Sequence, residues 1–186
     1  MGKTSKGFGD LLKLERQKGK NSAKSNPKMT ILAKNQNDES YVEYNFEEQE
    51  QRIGTIVGFD DDGEVLSVNA QTLTTFRNYL EQNLTSPCTV TGIEDFQWEE
   101  YYIIGPGSKK EHERLRKTKP SYRDTYEFLG FDDEVEDEFY SLLVNVRRTS
   151  DKKKFCLPLS DLKATSEDTK NYQLLDDYSV WFVNWR

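Results

Sequence analysis

The sequence predicts an α+β domain, a small twisted antiparallel sheet or SH3-like barrel with one main packing helix and a flexible N-terminal arm. Three observations predict it. Leu142 to Leu157 contains two apolar runs joined by a polar turn at Ser150 to Lys153, the pattern of a β-hairpin. Leu73, Phe76, Tyr79, Leu80 and Leu84 recur at helical spacing behind Asn69, a good N-cap residue. The first 30 residues hold too little apolar surface to build a core.

Those 30 residues carry eight Lys or Arg (Lys3, Lys6, Lys13, Arg16, Lys18, Lys20, Lys24, Lys28) against Asp10 and Glu15, a net of +6. The whole 186-residue chain carries −7, which leaves −13 on residues 31–186. Residues 1–40 therefore read as a basic, largely disordered arm and linker, and residues 41–186 as an acidic α+β domain. The arm suits electrostatic docking on RNA, an anionic membrane or an acidic protein, and equally suits a solubilising tail. The acidic body repels phosphate and attracts cations.

In chain order, Tyr41 to Arg52 is rich in helix formers, with a strand open as the alternative at its start. Arg52 to Phe59 reads as a strand that returns through Val65 to Val68, with Asp62-Gly63 as the turn. The main helix spans Ala70 to about Asn83, and Pro87 lies beyond its end. Cys88 to Ile93 and Phe96 to Ile103 read as extended runs ending at Gly105-Pro106-Gly107. Lys109 to Lys117 is a short charged helix, and Tyr122 to Phe131 fits strand or helix. The aromatic C-terminus, Tyr178, Val180, Trp181, Phe182, Val183 and Trp185, reads as a third strand over the hairpin, closing a core with Trp98 and Phe155.

The chemistry the sequence offers is carboxylate chemistry. Hard cations such as Ca²⁺ take six to eight oxygens, and clustered carboxylates repel one another until a cation relieves them. Two clusters have this character: Asp60, Asp61, Asp62 and Glu64 in the first, and Asp132, Asp133, Glu134 and Glu136 in the second. Both read as acidic loops, and neither has EF-hand spacing. Catalytic signatures are scarce. His112 sits in a charged run and reads as an exposed spectator, Cys88 and Cys156 read as buried reduced thiols, and no phosphate loop, zinc pattern or serine elbow occurs. An enzyme is not expected. No apolar run approaches membrane-spanning length, and the expectation is a soluble, cytoplasmic protein.

The motifs Glu47 to Ile53 (EEQEQRI), Tyr79 to Leu84 (YLEQNL) followed by Pro87, Phe155 to Leu162 (FCLPLSDL) and Asp176 to Trp181 (DDYSVW) together resemble the small calcium-binding proteins of cyanobacteria typified by the heterocyst-associated protein. The resemblance implies a compact α+β domain, Ca²⁺ binding without EF-hands, and a role as a calcium buffer or sensor. It departs at Asn69, Ala70, Gln71 and Thr72, where the family carries an acidic run, so no ligand set carries over. The expected ligands are thus the eight carboxylates of the two clusters. The alternative is an adaptor subunit that has lost calcium binding and docks a protein or RNA through residues 1–30.

Overall fold

The structure, a computed structural model, describes residues 32–33, 42–43, 46–137, 141–167 and 169–186. The chain divides into two units, Met1–Phe46 and Glu47–Arg186. In the first, strands β1 (Leu32–Ala33) and β2 (Val42–Glu43) pair antiparallel. The expected disorder of residues 1–30 lies outside the described residues.

The second unit is built on a five-stranded antiparallel sheet of β3 (Thr89–Gly92), β4 (Tyr126–Asp137), β5 (Ser141–Arg148), β6 (Lys154–Pro158) and β7 (Leu162–Ala164). Its order, β6-β5-β4-β3-β7, leaves two edges, so the sheet is open and the barrel alternative is not adopted. The β5–β6 hairpin is the one the alternating residues predict, with Val144 opposite Leu157 and Val146 opposite Phe155.

Five helices accompany the sheet among the described residues: α1 (Phe46–Val57), α2 (Ala70–Asn83), α3 (Gln97–Ile103), α4 (Lys109–Arg116) and α5 (Lys170–Asn184). Helix α2 starts where Asn69 predicts, through a capping box in which the Asn69 side chain accepts from the Thr72 amide and the Thr72 hydroxyl accepts from the Asn69 amide. Leu73, Phe76 and Leu80 are its buried stripe.

Three stretches expected as strands are helices. Arg52 to Val57 belongs to α1, whose buried residues Gln49, Ile53 and Val57 repeat every four positions. Gly58, at φ +101°, ends this helix where a side chain is strained. Trp98 to Ile103 belongs to α3. The C-terminal aromatic run is α5, because Leu174, Leu175, Tyr178, Trp181 and Phe182 follow helical spacing and all are buried. Only the hairpin between Phe59 and Val65 survives from the expected first strand pair, as a single bridge.

Helix α5 and α2 share the core. Phe76 meets Trp181 with ring centroids 5.1 Å apart and Tyr178 at 5.2 Å. The polar ends of these rings are satisfied: the Trp181 indole donates to the Leu66 carbonyl, and the Tyr178 hydroxyl accepts from the Leu142 amide. Burial pushes the Tyr178 hydroxyl up to about 12. Helix α5 is therefore anchored from several sides.

Candidate metal centre

The first predicted cluster is a hairpin tip. Asp60 Oδ1 accepts from the amides of Asp62 and Glu64, both at 2.9 Å, and Gly63 turns the chain at φ +82°. Asp60, Asp61, Asp62 and Glu64 are all exposed. One carboxylate oxygen thus holds the turn, and the remaining carboxylates point their charge at water.

The second cluster is not a loop. Residues 132–137 lie in β4, where the ladder passes from Phe131↔Val144 to Glu136↔Leu142. Strand β4 uses five residues where β5 uses two, so the segment bulges out of the sheet. The Asn145 side chain donates to Asp132 Oδ2 at 3.0 Å. The expectations for Asp133, Glu134 and Glu136 fall on side chains outside the described set. The two clusters sit on different elements, the tip behind α1 and the bulge in the central sheet.

Other sequence readings change with burial. Cys156 is exposed, although Cys88 is buried as expected. Desolvation pushes both thiols up, and the nearby Asp132 charge adds to this at Cys156. His112 is buried, not an exposed spectator: its Nε2 lies 2.9 Å from Glu99 Oε1, and its ring stacks on Tyr102 at 5.6 Å. Glu99 is fully buried and also accepts from the Ser121 hydroxyl and the Tyr122 amide. These bonds join α3, α4 and the segment before β4, which is a structural role.

A third group of carboxylates, scattered in the sequence, is gathered by the fold. Glu94 and Asp95 just before α3, Glu100 within it, Asp161 in the short turn before β7, and Asp176 on α5 line one hollow of about 660 Å³. The Ile93 amide donates to the Asp161 carbonyl at 2.9 Å and ties two of its walls together. Asp176, Ser179, Val180 and Val183 recur at helical spacing, which presents one face of α5 to the hollow.

The hollow's electrostatics are uneven. Burial pushes the Asp161 carboxyl up, and the charge of Glu94 pushes in the same direction, while a bond from the Ser160 hydroxyl opposes both. Arg186 also lines the hollow, with its guanidinium over the Phe182 ring. Asp176 accepts from Gln49 Nε2 at 2.9 Å, and the neighbouring Asp177 is held by Arg52 at 2.8 and 2.9 Å. The Ser179 hydroxyl is buried and has no hydrogen-bond partner. Among the described residues, no three His, Cys, Asp or Glu side chains already converge as a metal cluster.

Asp161, Asp176 and Ser179 lie inside the motifs FCLPLSDL and DDYSVW, away from the dense carboxylate runs that suggest ligands. The helical spacing of 176, 179, 180 and 183 was the available signal, masked by reading that segment as a strand.

Part of the chain is similar to a known family. Residues 107–182 match the Calci_bind_CcbP family, described as calcium binding. The resemblance drawn from the motifs is thus shown for that part of the chain, and Ca²⁺ is the cation this family binds. Among solved structures, the chain is similar to that of Anabaena CcbP, with 19% identity and a TM-score of 0.46 over 75% of this chain and 92% of the other. It is similar to a calcium-binding protein in its calcium-binding form, with 20% identity and a TM-score of 0.45 over 74% of this chain and 90% of the other. No curated protein matches the sequence at a significant level. No described helix is long and apolar enough to cross a membrane.

The residues present fit such an ion in donor chemistry. Carboxylate oxygens are the hard ligands Ca²⁺ takes, but among the described residues no three His, Cys, Asp or Glu side chains are grouped closely enough to hold an ion.

Proposed function

We propose that this protein binds Ca²⁺ without catalysing a reaction, and that it acts as a buffer rather than a sensor. The observation that carries the calcium reading is the match of residues 107–182 to a family described as calcium binding. The body's acidity agrees with it, since residues 31–186 carry a net −13 once the basic arm is set aside.

Buffering is favoured by how the helices are held. A sensor needs a bistable element whose opening exposes a new surface. Here α5 buries Leu174, Leu175, Tyr178, Trp181 and Phe182 and is bonded to α1, to β5 and to the segment before α2. Such a helix has little freedom to open.

The exposed carboxylates Asp60, Asp61, Asp62 and Glu64, together with Asp132, Asp133, Glu134 and Glu136, are proposed as weak calcium ligands. Asp60 offers its free Oδ2, because Oδ1 is engaged by the turn. Exposed ligands keep their hydration and hold an ion loosely, which suits capacity more than affinity.

The test is a calorimetric Ca²⁺ titration of the full chain, repeated in excess Mg²⁺, with hydrogen exchange recorded in both states. Saturable calcium heat that survives Mg²⁺, with protection of α5 amides unchanged, is the expected result. Absence of calcium heat removes the function. Loss of α5 protection on binding replaces the buffer with a sensor.

A further inference from the structure

We infer that the face formed by α4 and the turn of the β5–β6 hairpin docks on the phosphate backbone of a nucleic-acid duplex. The inference is independent of the calcium reading and uses no residue of the N-terminal arm. It concerns the one strongly basic surface that the fold builds from its acidic body.

Two segments far apart in sequence make this surface. Residues 109–124 carry a net +4 and residues 147–154 another +4, while residues 31–186 as a whole carry −13, so everything else in the body carries −21. The fold joins the two basic segments directly. Lys153 Nζ donates to the Lys117 carbonyl at 2.7 Å, and the buried Arg148 donates to the carbonyls of Arg116 and Lys119 at 2.9 and 3.0 Å. The carbonyls at the end of α4, which would repel an anion, are thus already engaged.

The carboxylates within the surface are engaged as well. Glu111 pairs with Arg114, Glu113 with Arg116, and Asp124 and Asp151 with Arg148. Arginines take up the local acids, and Lys109, Lys110, Lys117, Lys119, Lys152 and Lys154 stand exposed around them. The surplus charge of this face is therefore lysine charge.

The company these lysines keep selects the partner. Among the described residues, none of the exposed large hydrophobic side chains falls in residues 109–124 or 147–154. A protein interface has an apolar core from which lysine is depleted, and an interfacial membrane contact inserts apolar side chains. A single strand stacks its bases on open aromatic rings, whereas the Tyr122 ring is covered by the Arg123 guanidinium at 5.1 Å. A duplex backbone asks only for cations. Lysines are point charges without the arginine fork, so binding is through phosphates and independent of sequence. The negative remainder of the body does not forbid it, because exposed charges more than about 10 Å away are largely screened at 0.1 M salt.

The experiment is fluorescence anisotropy of a labelled DNA duplex of about 20 base pairs, titrated with full-length protein between about 50 and 200 mM salt. Three proteins are compared: the wild type, a face variant with Lys109→Gln, Lys117→Gln, Lys152→Gln and Lys154→Gln, and an arm variant with Lys13→Gln, Arg16→Gln, Lys18→Gln and Lys20→Gln. Both variants lose the same charge, and near-UV circular dichroism checks their folding. The face variant is expected to lose about tenfold or more in affinity at the lowest salt, with a salt dependence shallower by about 1 for each lysine that met a phosphate. The arm variant is expected to lose less. An equal or greater loss in the arm variant assigns the binding to the arm or to total charge and overturns the inference. So does a face variant within about twofold of the wild type, or a wild type that does not bind the duplex, since a docking face of several phosphate contacts produces neither. Tighter retention on phosphatidylserine vesicles than on the duplex, or displacement by polyglutamate as readily as by unlabelled duplex, gives the face to a lipid or a protein and overturns it too.

Discussion

The hairpin tip and the hollow hold similar numbers of carboxylates, but they are assembled differently. At the tip, Asp60, Asp61, Asp62 and Glu64 are consecutive in the chain, exposed, and joined by a turn that uses Asp60 for its own closure. In the hollow, Glu94, Asp161 and Asp176 come from segments far apart in sequence and line one space without closing on one another. Charge density along a chain measures solubility and turn formation. Charge gathered in space and partly buried shifts titration instead, as at Asp161, where burial and the Glu94 charge both raise the carboxyl.

If the core sets the hollow, the largest effect comes from removing the side chain that fixes its α5 wall. Trp181→Ala is expected to cost about 3–5 kcal/mol in denaturant unfolding, the range for truncating a large buried aromatic. A cost below about 1 kcal/mol in the same measurement, typical of surface sites, would show that α5 is not anchored as described. Next is Asp177→Ala, which removes the bidentate partner of Arg52 and one acceptor of Gln49 behind the hollow. Hydrogen bonds to charged groups suggest a loss of about 1.5–3 kcal/mol, discounted toward the lower end because Arg52 remains partly solvated.

The two regions also separate by pH. Asp161 faces Glu94, Asp95, Glu100, Asp176 and Arg186 across the hollow, and burial with the Glu94 charge raises its carboxyl above the usual range. A raised carboxyl favours the folded state while protonated, and that contribution is lost as pH rises through its elevated value. Stability should therefore fall as pH is raised through that window. Denaturant titrations at stepped pH check this, and Asp161→Asn should flatten the dependence. A slope unchanged in Asp161→Asn places the proton elsewhere.

Much of the fold was legible in the residues. The β5–β6 hairpin follows from alternation at Leu143 to Val146, and α2 from the Asn69 cap and its Leu73, Phe76, Leu80 stripe. The C-terminal helix was legible too, through Leu174, Leu175, Tyr178, Trp181 and Phe182, but its aromatic and β-branched content argues for a strand when propensity is weighed above period. Tertiary packing against Phe76 decides the matter. His112 shows the limit of reading charge locally. Its neighbours Lys109, Lys110, Glu111 and Glu113 are hydrophilic, and the contact that buries it is Glu99, thirteen residues earlier. The same limit hid the hollow, since no window of the sequence contains Asp161, Glu94 and Ser179 together.

The smallest expected effect sharpens the contrast most. Asp61→Asn with Asp62→Asn removes two charges from the tip without touching its turn, because the bonds that close the turn use the Asp60 carboxylate and the Asp62 and Glu64 amides. Both side chains are exposed, so stability should move by no more than about 0.5 kcal/mol, as for surface substitutions away from structural features. Asp60→Ala, by contrast, strips the acceptor from two amides and should cost about 1 kcal/mol, comparable to losing a helix cap. Thermal melts of the two variants, run with and without Ca²⁺, distinguish the roles. If the double variant melts like the wild type in both conditions, the tip's outer charges are solvated and its structural part belongs to Asp60. If calcium stabilises the wild type but no longer stabilises the double variant, the tip's outer carboxylates hold the ion.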